Sequence, residues 1–219
     1  YAYVADGGSG LAVINISDPT SPGDLFYENT NGTAYSLAIS GNYAYVADGG
    51  EGLAIVDISD PTNPGPTVYK DTDGNARDVF LSGDHAYIAD YDNGLVIINI
   101  SNPASPVLTA NKATNGNARG VIVHGSFAYL AVEGSGLALI DISNPASPGN
   151  PVYQTTSNAL GLTIRDNYAY VANGNDGLSI IDISDPSNLI TPVNKTLGGS
   201  ARHVIIDGNY AYIPNWDKD

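Results

Sequence analysis

At 219 residues, with 42% apolar side chains, the chain is long enough to bury one large core or two small ones. Twenty-three acidic residues against 8 basic ones leave a net charge of −15, which argues against nucleic acid and anionic lipid surfaces as partners, because both are held by clusters of Lys and Arg. Cysteine is absent, so disulfides, thiolate metal sites and a cysteine nucleophile are excluded, and no apolar run reaches the length of about 18 residues that a membrane-spanning helix needs.

The chain starts inside a strand pattern, Tyr1-Ala2-Tyr3-Val4-Ala5, and contains no Met, which reads as an excerpt or a processed product with no visible leader. The aromatic-Ala-Tyr motif returns at Tyr43, His85, Phe127, Tyr168 and Tyr210, at spacings of 42, 42, 42, 41 and 42 residues. Four strands are predicted within each unit. An inner strand, such as 76–81, ends at the tight turn Ser82-Gly83-Asp84, and the aromatic motif forms the second, as over 43–48. A Gly-rich loop leads to the third, as over 53–59, and Asp60-Pro61 breaks the chain before a weaker fourth near 66–71.

Four short strands in each period of about 42 residues match the blade of a β-propeller. The expected fold is therefore all-β: one β-propeller domain over 1–219, built from four-stranded repeats. Five repeats start near 1, 43, 85, 127 and 168, with a partial sixth from 210, giving a five-bladed ring or part of a larger one. The count holds one conflict: the aromatic strand occurs six times and the others five. Closing five blades would pair the inner strand at 201–206 with 1–5, displacing the last copy. The alternatives are a larger ring, or exchange of a strand with a second subunit.

The segments Gly52-Leu53-Ala54-Ile55-Val56-Asp57-Ile58-Ser59 and Gly94-Leu95-Val96-Ile97-Ile98-Asn99-Ile100-Ser101, with their flanking Tyr-Ala-Tyr-Val-Ala-Asp and Ser-Asp-Pro elements, resemble the LVIVD repeat. The resemblance covers every unit. It implies a propeller of secreted or cell-surface proteins of bacteria and archaea, of unassigned function, and supplies no catalytic residues to carry over.

Three sets of residues are candidates for a site. Asp6, Asp48 and Asp90 follow the second strand and could recruit a cation such as Ca²⁺, but later copies carry Val132, Asn173 and Asn215 there. One or two carboxylates per loop make a poor cage for an ion that takes six to eight oxygens, and an Asx turn explains the position better. No cofactor is expected. Arg77, Arg119 and Arg202, with Tyr35 and Leu160 in the remaining copies, begin the inner strands and should meet near one rim of the channel. They could bind an anion such as an acidic sugar or carboxylate; the alternative pairs each with a nearby loop acid as a bridge between blades. The histidines His85, His124 and His203 share no repeat position. The expected function is a non-catalytic extracellular or cell-surface scaffold for a protein or glycan partner, with self-assembly by strand exchange as an option. The alternatives are a hydrolytic or glycan-active enzyme at the channel mouth and a calcium-stabilised adhesion module.

Overall fold

The strands sit where turn residues break the β-branched and aromatic runs. The structure, a computed structural model, describes residues 1–216, and among them there is no helix. The first sheet has three strands, β1 (Ala2–Ala5), β2 (Leu11–Ile14) and β3 (Leu25–Glu28). The second has four: β4 (Ser36–Ser40), β5 (Tyr43–Ala47), β6 (Leu53–Asp57) and β7 (Thr67–Lys70). The third comprises β8 (Asp78–Ser82), β9 (His85–Asp90), β10 (Gly94–Asn99) and β11 (Val107–Lys112). The fourth comprises β12 (Asn117–His124), β13 (Phe127–Glu133), β14 (Gly136–Asp141) and β15 (Val152–Gln154). The fifth comprises β16 (Gly161–Arg165), β17 (Tyr168–Ala172), β18 (Leu178–Asp182) and β19 (Val193–Lys195). An interrupted hairpin ends the array: β20 (Ser200–Ala201) pairs with β23 (Asn215–Trp216), and β21 (Ile205–Asp207) with β22 (Tyr210–Tyr212). Every pairing is antiparallel and each complete sheet is a simple meander.

Among the described residues there are thus four complete four-stranded sheets rather than five. A sheet begins at its inner strand, whereas β1 is an aromatic one, so among the described residues the first sheet has no inner strand and the last has only its first two. The pairing of 201–206 with 1–5 does not form, because Ile205 and Ile206 pair with Tyr212 and Ala211 of their own hairpin. Among the described residues β1 pairs with β2 alone.

Successive sheets stack face to face, which explains why middle strands are apolar on both sides. Along β9, Ala86 and Ile88 face the second sheet, beside Tyr45 and Ile55, while Tyr87 and Ala89 face the fourth, beside Ala128 and Leu130. Each interface sets a large residue against a small one: Tyr45 with Ala86, Tyr87 with Ala128, Tyr129 with Ala169. Backbone bridges tie neighbouring sheets together, as where Gly49 and Ala76 exchange N–H···O bonds of 3.1 and 2.9 Å. Equivalent bridges join Gly7 to Ala34, Tyr91 to Ala118 and Gly174 to Ala201.

Candidate functional site

The inner strands of five successive sheets converge on one cavity of about 260 Å³. Its wall takes Tyr35 and Ser36 from the second sheet, Arg77 and Asp78 from the third, Arg119 and Gly120 from the fourth, Leu160 and Gly161 from the fifth, and Arg202 and His203 from the last. Close approach explains the glycines: a Cβ on Gly161 would lie 2.6 Å from the Arg202 carbonyl oxygen. All four residues expected at a rim, Tyr35, Arg77, Arg119 and Arg202, therefore meet at one place. A larger hollow of about 530 Å³ on the outer side of the fifth sheet is lined by Thr, Ser, Asn and Gln, with Asp176 its one charged group; charge gathers at the inner cavity.

Across the cavity's rim runs a ladder of alternating rings and cations. The Arg77 guanidinium lies 4.1 Å from the Tyr35 ring centroid and 4.8 Å from that of Tyr91. Arg119 lies 5.1 Å from the Tyr91 centroid and ends the ladder in an ion pair of 2.8 Å with Glu133. A bulge in β12 produces that placement: Ala118 pairs with Val132 and Gly120 with Ala131, so Arg119 is left out of register and re-aimed. Its hydrogen bond holds the Glu133 carboxyl below the ordinary range. Arg119 thus pairs with an acid of its own sheet, at the end of β13, rather than bridging two sheets as considered from the sequence, whereas Arg77 is held by rings.

Tyr91 and Glu133 occupy a repeat position that is Gly7, Gly49 and Gly174 in other sheets. Tyr91 keeps the left-handed backbone of that position, with φ of 24°, a strained state for an aromatic residue. Restoring the glycine tests what the strain supports. Tyr91→Gly relieves about 1 kcal/mol of strain and removes two ring–cation contacts worth about 0.5–1 kcal/mol each where partly exposed. Thermal melting should therefore show a stability change smaller than about 1 kcal/mol.

Asp78 was not anticipated. Its position reads Ser36, Asp78, Gly120, Gly161 and His203 through the five inner strands, the most varied column around the cavity, and that variation was the available signal. One carboxylate joins three sheets: it accepts from Ser36 Oγ at 2.6 Å and from the backbone N–H of Val121 at 2.9 Å, besides its neighbour Val79 N at 3.0 Å. It is half-buried and lines the cavity. Burial therefore pushes its proton affinity up, against the three donors and the nearby His203, which act the other way.

The loop acids do other work. Asp48 accepts from Thr30 Oγ1 at 2.6 Å and from Gly32 N at 3.0 Å, and Asp90 from Thr72 Oγ1 at 2.8 Å and Asn93 Nδ2 at 3.1 Å. Asn173 repeats the contact with Thr156 at 2.7 Å, which explains how an amide replaces the acid. Asp6, Asp48 and Asp90 belong to three separate loops, and among the described residues no three His, Cys, Asp or Glu gather as a metal site. Of the histidines, His203 alone lines the cavity; His85 packs edgewise near Tyr87 and His124 is exposed.

These features define an all-β repeat protein of stacked antiparallel sheets whose inner strands share one cationic and aromatic cavity. The chain belongs to the LVIVD-repeat family, which it matches over residues 1–30, 31–68, 73–114, 115–150, 157–194 and 198–219. No curated protein matches it. Among solved structures it is similar to the computationally designed Ika8 protein (TM-score 0.70, 8% identity), covering 97% of this chain and 64% of that one. It thus spans less than two-thirds of the Ika8 chain. A functionally unknown protein from Desulfotomaculum acetoxidans DSM 771 (TM-score 0.68, 14% identity) is covered over 67% of its length by 91% of this chain. The computationally designed Ika4 protein (TM-score 0.58, 11% identity) matches over 72% of this chain and 95% of its own. At these identities the likeness is one of fold.

Proposed function

We propose that this chain is a non-catalytic binding scaffold of the extracellular space or cell surface, a β-propeller that offers its shared cavity and loops to a protein or glycan partner. The observation that carries this reading is the composition of the cavity. An arginine held between ring faces, as Arg77 is, is suited to gripping an anionic group, and the strain kept at Tyr91 goes into holding it. The acidic exterior, net charge −15, keeps a rigid array soluble and apart from its neighbours. Self-assembly by strand exchange belongs to the same proposal, because a β-strand edge without a neighbour can pair with a strand of another chain. Light scattering over a dilution series tests that part: a mass that steps between whole multiples of the chain is expected, and a monomer at every concentration removes it. Retention on immobilised cell-surface polysaccharides or proteins, without release of reducing sugar or peptide, is the expected result for the scaffold as a whole.

The second reading is an enzyme acting at the same cavity. It draws on Asp78 and His203, two ionisable groups outside the repeat pattern that meet there, one with a raised proton affinity. Against it, Asp78 is the one carboxylate among the described lining residues, whereas glycoside hydrolysis takes a pair. Turnover of any glycoside that is abolished by Asp78→Asn would replace the scaffold reading with this one.

A further inference from the structure

Three of the four arginines in this acidic chain meet at one cavity. The fourth, Arg165, is engaged elsewhere with Asp166 and the Gly208 carbonyl. The three are not equivalent. Arg119 already has Glu133 as its counter-ion. Arg77 has both flat faces covered, by Tyr35 and Tyr91, so its hydrogen-bonding capacity lies in the plane between them. Its guanidinium makes no hydrogen bond or ion pair among the described residues, and its Nε is buried without an acceptor. An unmet buried donor of this kind is uncommon and unfavourable, and the outer N–H groups of the same half-buried side chain, which lines the cavity, are the ones that an oxygen of a bound anion would meet.

The same cavity holds Asp78, which disfavours a bare anion such as phosphate but suits a ligand that brings hydroxyl donors beside its negative charge. Ser36 Oγ donates to Asp78 and keeps lone pairs with which to accept. A volume of about 260 Å³ lies just under the usual range of small-molecule pockets, about 300–1,000 Å³, so a single sugar-sized unit fits and an extended chain does not.

We infer that the shared cavity binds one polyhydroxy carboxylate of the uronic-acid class, its carboxylate on Arg77 and its hydroxyls toward Asp78 and Ser36. The inference rests on the scaffold reading and names the ligand chemistry of its cavity. The ligand is the same whether free or at the exposed end of an acidic polysaccharide.

Titration calorimetry of the full chain with galacturonate, galacturonate methyl ester, galactose and inorganic phosphate tests it. The expected result is one-to-one binding of galacturonate, with the ester, the neutral sugar and phosphate each at least about tenfold weaker, the scale of losing one charge-assisted hydrogen-bonded pair. Arg77→Gln should cost galacturonate at least about tenfold in affinity while the protein still melts cooperatively. Absence of galacturonate binding, equal binding of the ester or of phosphate, or undiminished affinity in folded Arg77→Gln overturns the assignment. Should that variant not fold, the acid-to-ester comparison on the unaltered protein decides. A chain that ignores galacturonate yet is retained by cell-surface polysaccharide overturns the assignment and leaves the scaffold reading standing.

Discussion

Replacing Gly94 by alanine is expected to destabilise the protein by about 2–4 kcal/mol, from backbone strain of about 1–2 kcal/mol and overpacking of about 1–3 kcal/mol. Gly94 starts β10 with φ of +79°, and a Cβ there would lie 2.5 Å from the Lys112 carbonyl oxygen and 2.7 Å from Thr114 N. Both neighbours are backbone of the fourth strand and of the loop that leaves it, so nothing flexible can yield. Gly83 is the matched control: its φ is +56°, but a Cβ would meet nothing within 4 Å. Gly83→Ala should therefore show the conformational part alone, about 1 kcal/mol. Urea unfolding of the two variants measures the difference, and equal losses would contradict the close-approach argument.

The second large effect concerns Asp78. Alanine there is expected to lower the unfolding free energy by about 3 kcal/mol at mildly acidic pH, because the buried Val121 N–H and the Ser36 hydroxyl both lose their acceptor, at about 1–3 kcal/mol each. Three sheets lose a common tether at once. The loss should depend on pH. Burial raises the folded-state proton affinity of Asp78 above its unfolded value, so its proton stabilises the folded state fully below the unfolded pKa, and that contribution is lost as pH rises through the folded one. The difference between wild type and Asp78→Ala should accordingly shrink as pH rises from below the ordinary aspartate range toward neutrality. Denaturation at several pH values checks the sign; a difference that grows with pH would mean the charged form is the favoured one in the fold.

Much of this architecture is legible in the residues. The return of Tyr-Ala-Tyr at intervals of 41 or 42 residues and the Asx-Pro break after the third strand locate every sheet. The start of each inner strand also marks where Arg77, Arg119 and Arg202 would meet. Two things were not legible. Asp78 takes its partners from Ser36 and Val121, 42 and 43 residues away on neighbouring sheets, and only the convergence of the inner strands brings those groups within reach. Tyr91 stands in a loop column that holds glycine in three copies, Glu133 in one and Trp216 in the last. Nothing local indicates that its ring turns inward between two guanidinium groups. The loop acids read as Asx turns rather than as a cation site, but the Asp48 and Asp90 carboxylates are turned to threonines that follow the preceding sheet.

The pairing of tyrosine with alanine at successive interfaces gives the array a direction, like a row of pegs each entering the next socket. The front of any unit fits the back of any other, because all fronts are alike and all backs are alike. Insertion or removal of one whole period would preserve these tyrosine–alanine joints, though not the single contacts that Asp78 and Arg77 make across sheets. Such a chain can grow or shrink by duplication without redesigning its interior, while single departures such as Asp78, Tyr91 and Glu133 accumulate where the units meet at the centre.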